Sequence, residues 1–128
     1  MTEPRLRALV VEDEHLLAAH LVDALGKLGL EVGGVASNRA DALALLEQPG
    51  FDIAFIDLFL DRESHGIELA QCASARAIAV VLVTGQLSHE VSDALATLRS
   101  AALLTKPFSI DQLRTVVAAV RQGLAKPP

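Results

Sequence analysis

The feature that most constrains this chain is a repeated exchange between two hydrophobic periodicities. Short runs rich in apolar residues alternate five times with segments in which apolar side chains recur every three or four positions. The short runs are Arg7–Val11, Glu31–Ala36, Phe51–Ile56, Ala79–Val83 and Ala101–Leu104. The helical segments are His15–Leu28, a stretch from Ser37 or Asn38 to Leu46, Ile67–Ala75, Glu90–Leu98, and a last one introduced by Ser109. Strands apolar on both sides must be covered on both faces, and successive parallel strands need a crossover helix. The pattern therefore predicts an α/β fold with a doubly wound parallel sheet of five strands and right-handed crossovers.

Local chemistry places the boundaries. Gly29 follows the first helical stripe (Leu17, Leu21, Ala24, Leu25, Leu28), as at many helix C-termini. Ser37 and Asn38 are good N-caps, and Pro49-Gly50 breaks the chain. Ser109 with Gln112 forms a capping box ahead of a stripe of Ile110, Leu113, Val117, Val120 and Leu124. A single domain is expected over residues 1–128, with a folded core at about 6–124 and a tail at 125–128.

Composition excludes several classes. Hydrophobic residues make up 52% of the chain, so intrinsic disorder is excluded, yet no apolar run approaches a membrane span. No secretory leader pattern opens the chain, and the single cysteine, Cys72, cannot form an internal disulfide. These features predict a cytoplasmic protein. Net charge is −5, basic residues are scattered, and Trp and Tyr are lacking, which argues against nucleic-acid and membrane partners.

In sheets of this kind ligands gather beyond the carboxyl ends of the strands. The first run ends in Glu12-Asp13-Glu14, the third in Asp57, the fourth in Thr84-Gly85 and the fifth in Lys106-Pro107. Singly, each has an ordinary reading: a helix cap, a turn former, a strand threonine, a solvated lysine. Together, at four strand ends, they suggest phosphoryl transfer. Crowded carboxylates raise one another's pKa unless a cation sits among them, and Mg²⁺ suits such oxygen ligands. Asp57 then serves as a nucleophile that forms an aspartyl phosphate. Lys106 and the hydroxyl of Thr84 hold phosphoryl oxygens, and Gly85 leaves room for the group to enter. The peptide before Pro107 is a candidate for the cis form.

The stretches Ala8-Leu9-Val10-Val11-Glu12-Asp13-Glu14, Ala54-Phe55-Ile56-Asp57, Val81-Leu82-Val83-Thr84-Gly85 and Leu104-Thr105-Lys106-Pro107-Phe108 occur in the order and spacing of a known family. The chain resembles the receiver domain of two-component response regulators, of the stand-alone type. The resemblance implies a flavodoxin-like (βα)5 sheet in the order 2-1-3-4-5. It implies that Asp57 accepts a phosphoryl group from a histidine kinase or phosphotransfer protein. It implies Mg²⁺ held by Asp13, Asp57 and the backbone carbonyl of Phe59, with Glu12 acting mostly through a metal-bound water. Thr84 and Lys106 would contact the phosphoryl oxygens. Catalysis would be limited to the domain's own phosphorylation and hydrolysis, and output would pass to a downstream partner or a homodimer through the face of the fourth helix, fifth strand and fifth helix.

Three positions depart from the common family pattern. Leu103 stands three residues before Lys106, where an aromatic ring usually reports phosphorylation. Phe59, two residues after Asp57, sets a bulky apolar group beside the acceptor. The polar loop Asp61–His65, which includes Arg62, is one residue longer than common before Gly66. Two other functions compete. A phosphorylation-independent pseudo-receiver is kept open by Leu103 and Phe59. A Mg²⁺-dependent phosphatase with an Asp nucleophile is disfavoured because Phe59 occupies the place of its usual second Asp. His65 and His89 are read as solvated loop residues on the active rim, and His15 and His20 as residues of the first helix without a ligand role. Cys72 is read as filling core space, Phe51 and Phe55 as core residues of the third strand, and Phe108 as packing under the last helix.

Overall fold

Five parallel strands, β1 (Arg7–Val11), β2 (Glu31–Ala36), β3 (Ile53–Asp57), β4 (Ala79–Thr84) and β5 (Ala101–Thr105), pair in the order β2-β1-β3-β4-β5. They alternate with α1 (His15–Lys27), α2 (Arg39–Leu46), α3 (His65–Ala75), α4 (His89–Ala96) and α5 (Ile110–Ala125). The computed structural model describes residues 5–60, 65–85, 88–98 and 101–125. The expected α/β, flavodoxin-like architecture is therefore the observed one.

The central strands β3 and β4 are buried along their whole length, which is why they read as continuous apolar runs. Successive residues serve opposite faces. Leu9, Val11, Ala54, Ile56, Val80 and Leu82 join Leu46, Leu69, Ala73 and Val91 in a core under α2, α3 and α4. Ala8, Val10, Phe55, Val81 and Val83 join Leu21, Leu25, Leu113 and Val117 in a second core under α1 and α5. Two cores on one sheet fix the register, because a one-residue slip would exchange them.

Caps follow the expected chemistry with local differences. Asn38, rather than Ser37, caps α2, its side chain accepting from the Asp41 N–H at 2.8 Å. The capping box forms as expected: Ser109 Oγ accepts from Gln112 N–H at 3.1 Å, and Gln112 Oε1 from Ser109 N–H at 2.8 Å. Gly29 takes a φ of +87° after α1, a conformation that strongly favours glycine. The Lys106–Pro107 peptide is cis, as anticipated.

Several boundaries move for identifiable reasons. β3 starts at Ile53 instead of Phe51. Asp52 is taken up with β1, its carboxylate accepting from Arg7 N–H at 2.8 Å while its own N–H donates to the Arg7 carbonyl at 2.8 Å. Phe51 therefore precedes the strand and joins the α2–α3–α4 core, whereas Phe55 lies in the α1–α5 core. The Arg7 guanidinium lies 4.7 Å from the Phe51 ring centroid. β4 and β5 each run one residue further than expected, because their terminal threonines remain paired and Lys106 N–H donates to the Thr84 carbonyl at 2.8 Å. α4 stops at Ala96, where the Thr97 hydroxyl donates to the Ala94 carbonyl at 2.8 Å. Ile110 is 39% exposed and does not belong to the buried stripe of α5. Cys72 is only partly buried against the core. Phe108 packs partly against the α1–α5 core, its ring 5.8 Å from that of His20.

Phe55 is fully buried at the centre of the sheet. Phe55→Ala is expected to lower unfolding stability by about 3–5 kcal/mol, measured by urea denaturation. A loss below about 1 kcal/mol would contradict the packing described.

Candidate functional site

The parallel sheet delivers its strand ends to one edge, and the chain turns there into loops that carry the polar residues. Asp13, Glu14, Asp57, Phe59, Thr84, Gly85 and Lys106 line one cleft of about 460 Å³. Glu12 stands beside it, its side chain 6% exposed. One carboxylate oxygen from each of Glu12, Asp13 and Asp57 lies within 4.8 Å of the others. The residues read from four separate strand ends thus meet in one place.

Each is held by its own element. Glu12 follows β1, and its backbone N–H donates to the Ala36 carbonyl of β2 at 3.0 Å. Its Oε2 accepts from Glu14 N–H at 3.2 Å, so it steadies the turn into α1. Glu14 occupies the N-cap position of α1 without a capping side-chain bond. Asp57 ends β3, and its Oδ1 accepts from Phe59 N–H at 3.1 Å. The following Leu58 N–H donates to the Val83 carbonyl of β4 at 3.0 Å, and the Leu58 and Leu60 side chains are fully buried. The acceptor segment is therefore pinned to the sheet on one side. Thr84, at the end of β4, is also fully buried.

Lys106 bridges the acids. Its Nζ lies 2.8 Å from Glu12 Oε1 and 3.4 Å from Asp57 Oδ2. Sequence reasoning paired Lys106 with a phosphoryl group and did not anticipate that its closest partner would be Glu12. Burial pushes the Glu12 carboxyl up to about 7, the Asp57 charge adds to the rise, and the Lys106 hydrogen bond partly opposes it. Burial works against the Lys106 charge, but the Glu12 hydrogen bond and the charges of Asp57 and Glu12 outweigh it and raise its pKa.

This donor set fits a hard dication. Three carboxylates offer only oxygen, and a spread of 4.8 Å suits direct ligation by some and water-mediated ligation by others. Phe59 also lines the cleft. Two of the three departures from the family pattern, Phe59 and Leu103, are also placed. Leu103 is partly buried against the core below α4, and it lines a separate cleft of about 470 Å³ with Ser88, His89, Val91, Ser92 and Leu95. His65 and His89, read as loop residues, are instead the first residues of α3 and α4. The loop residues 61–64, with Arg62, lie outside the described residues.

Comparison with known proteins agrees with this geometry. The description "Response regulator receiver domain" matches residues 8–118. The chain is 34% identical over 116 residues to the sensory transduction protein RegX3 of Mycolicibacterium smegmatis, covering 90% of this chain and 50% of that protein. It is 36% identical over 132 residues to the alginate biosynthesis transcriptional regulatory protein AlgB of Pseudomonas aeruginosa, covering 98% of this chain and 28% of that protein. Among solved structures, the signal receiver domain of a modulated diguanylate cyclase from Desulfovibrio desulfuricans G20 superposes with a TM-score of 0.82 at 28% identity, covering 96% of this chain and 100% of that one. The response regulator PhyR from Brucella abortus gives 0.75 at 28% identity, covering 91% of this chain and 48% of that one. The chain belongs to the response regulator receiver domain family. It spans about half or less of the length of the curated relatives above, and the expectation of no nucleic-acid partner concerns these 128 residues alone. Among the described residues no helix is long and apolar enough to cross a membrane.

The buried Glu12 makes stability depend on pH. Its folded pKa, about 7, exceeds the ordinary 4.5, so folding favours its protonated form. That stability is fully present below pH 4.5 and is lost as pH rises through about 7. With divalent cations chelated, unfolding stability should fall by roughly 1–3 kcal/mol across this window. Glu12→Gln should remove that part of the profile, and superimposable wild-type and variant profiles would contradict the assignment.

Proposed function

We propose that the domain accepts a phosphoryl group on Asp57 from a histidine kinase or phosphotransfer protein, and that the phosphorylated state alters the binding of a partner. The observation that carries this reading is the meeting of Asp13, Asp57, Thr84 and Lys106 in one cleft formed from four strand ends, with Glu12 beside it. A carboxylate oxygen of Asp57 attacks phosphorus, the P–N bond of the phosphohistidine breaks, and the imidazole leaves with its electron pair and takes up a proton. The product is an acyl phosphate. Asp13, Asp57 and the Phe59 carbonyl would hold Mg²⁺, with Glu12 acting mostly through a bound water. The ion would supply positive charge against the phosphoryl oxygens.

Lys106 provides the chain's own countercharge. It lies 3.4 Å from the acceptor carboxylate, close enough to reach an added phosphoryl oxygen by leaving Glu12. The Thr84 hydroxyl contacts another oxygen. Phe59, which lines the cleft beside Asp57, gives the acceptor an apolar flank that limits water attack on the acyl phosphate. Catalysis is confined to this self-directed phosphorylation and hydrolysis. Output passes through the face of α4, β5 and α5, where Leu103 repacks in place of an aromatic ring.

A second reading, a pseudo-receiver that binds partners without phosphorylation, draws support from Leu103 and from the 2.8 Å Lys106–Glu12 contact that occupies the lysine. One experiment separates the two. Intact mass is measured after incubation with Mg²⁺ and a small-molecule phosphodonor. The wild type should gain one phosphoryl group and Asp57→Asn none, with the variant still folded. Lys106→Ala should slow the gain by about 10²-fold. No adduct on a wild type that binds Mg²⁺, with either a small donor or a phosphorylated phosphotransfer protein, would favour the pseudo-receiver. Amide shifts on phosphorylation should appear along α4, β5 and α5, and an unchanged spectrum there would remove the proposed output face.

A further inference from the structure

Gly66 is the second residue of α3, and it is buried. It does not have a positive φ, so its backbone conformation is open to any residue. What it lacks is space. A Cβ built there would stand 2.2 Å from the Asp57 carbonyl oxygen, 2.6 Å from Leu58 Cα and 2.6 Å from the Leu58 carbonyl oxygen. All three are backbone atoms, so no flexible side chain can swing aside. By contrast, nothing lies within 4 Å of a Cβ at Gly26, which is also helical.

Neither partner in this contact is free to yield. The Asp57–Leu58 peptide is pinned to β4 by the Leu58 N–H bond to Val83, and Leu58 is fully buried. α3 is fixed by its buried Leu69, Ala70 and Ala73, and by Glu68, which receives Arg39 of α2 at 2.9 and 2.5 Å. Helix propensity alone would favour alanine at this position. The glycine therefore serves the approach of α3 to the acceptor peptide.

We propose that Gly66 is a positioning residue for the site: it lets α3 close against the Asp57–Leu58 peptide and so sets the Asp57 carboxylate and the Phe59 carbonyl in register with the acids that follow β1. This rests on the phosphoacceptor reading given above. A methyl group at residue 66 forces the segment 57–59 away from Glu12 and Asp13 while the rest of the sheet stays intact.

The test compares Gly66→Ala with Ala70→Gly, which weakens the same helix one turn further on and adds no atom against residues 57–58. Mg²⁺ affinity is measured by calorimetry on folded protein well below each melting temperature, and phosphorylation rate by intact mass. The proposal expects Gly66→Ala to lose at least tenfold in both, and Ala70→Gly to keep wild-type Mg²⁺ affinity within twofold at an equal or larger loss of melting temperature. Equal losses in the two variants, or wild-type values for Gly66→Ala, overturn it. If Gly66→Ala yields no folded protein, the wild type decides. The Gly66 and Ile67 amides should move in step with the Asp57 amide as Mg²⁺ is titrated, and first-turn amides that stay fixed while Asp57 moves overturn the proposal. A wild type that binds Mg²⁺ but takes no phosphoryl group removes the phosphoacceptor reading and leaves the Mg²⁺ comparison intact. A wild type that binds no Mg²⁺ removes both.

Discussion

Repulsion among Glu12, Asp13 and Asp57 is the constraint around which the site is built. Three carboxylates held within 4.8 Å, two of them (Glu12 and Asp57) buried, are costly without compensation. The structure answers in two ways: burial, with the Asp57 charge adding to it, raises the Glu12 carboxyl to about 7, and Lys106 bridges Glu12 and Asp57. Both answers are provisional in a chemical sense. A divalent cation would favour the ionised acids, and a phosphoryl group would give Lys106 a new anion to pair with. The strain among these acids thus makes the site responsive to the ligands it is suited to bind.

The rest of the fold keeps the acids together against that repulsion. β1 and β3 are adjacent in the sheet, so residues that follow them are neighbours whatever the loops do. Register between the strands is fixed by two separate cores, with Phe55 facing one and Ile56 the other. Leu58 and Leu60 anchor the chain just beyond the acceptor, and Gly66 lets α3 close over the same peptide. Carboxylates on mobile loops would drift apart. Here their backbones continue directly from buried strands.

Much of this was legible in the sequence. Runs such as Ala79–Val83 read as strands of a sheet covered on both faces, and the expected site residues other than Phe59 stood at or directly after a strand end. What was not legible depends on contacts between distant segments. Phe51 looks like strand, but Asp52 is committed to the start of β1, which delays β3 to Ile53. Ile110 fits the α5 stripe by spacing, yet at the first residue of the helix it is 39% exposed. The Lys106–Glu12 pairing and the role of Gly66 are set by distances of a few ångströms between elements, which no spacing along the chain encodes.

The central claim is that Asp57 is the group that accepts phosphorus. Phosphorus NMR of the Mg²⁺-loaded protein with phosphoramidate tests it most directly. The account predicts one acyl-phosphate resonance that requires Mg²⁺ and disappears on addition of hydroxylamine. The same resonance in Asp57→Asn, or none in a wild type shown to bind Mg²⁺, would contradict it.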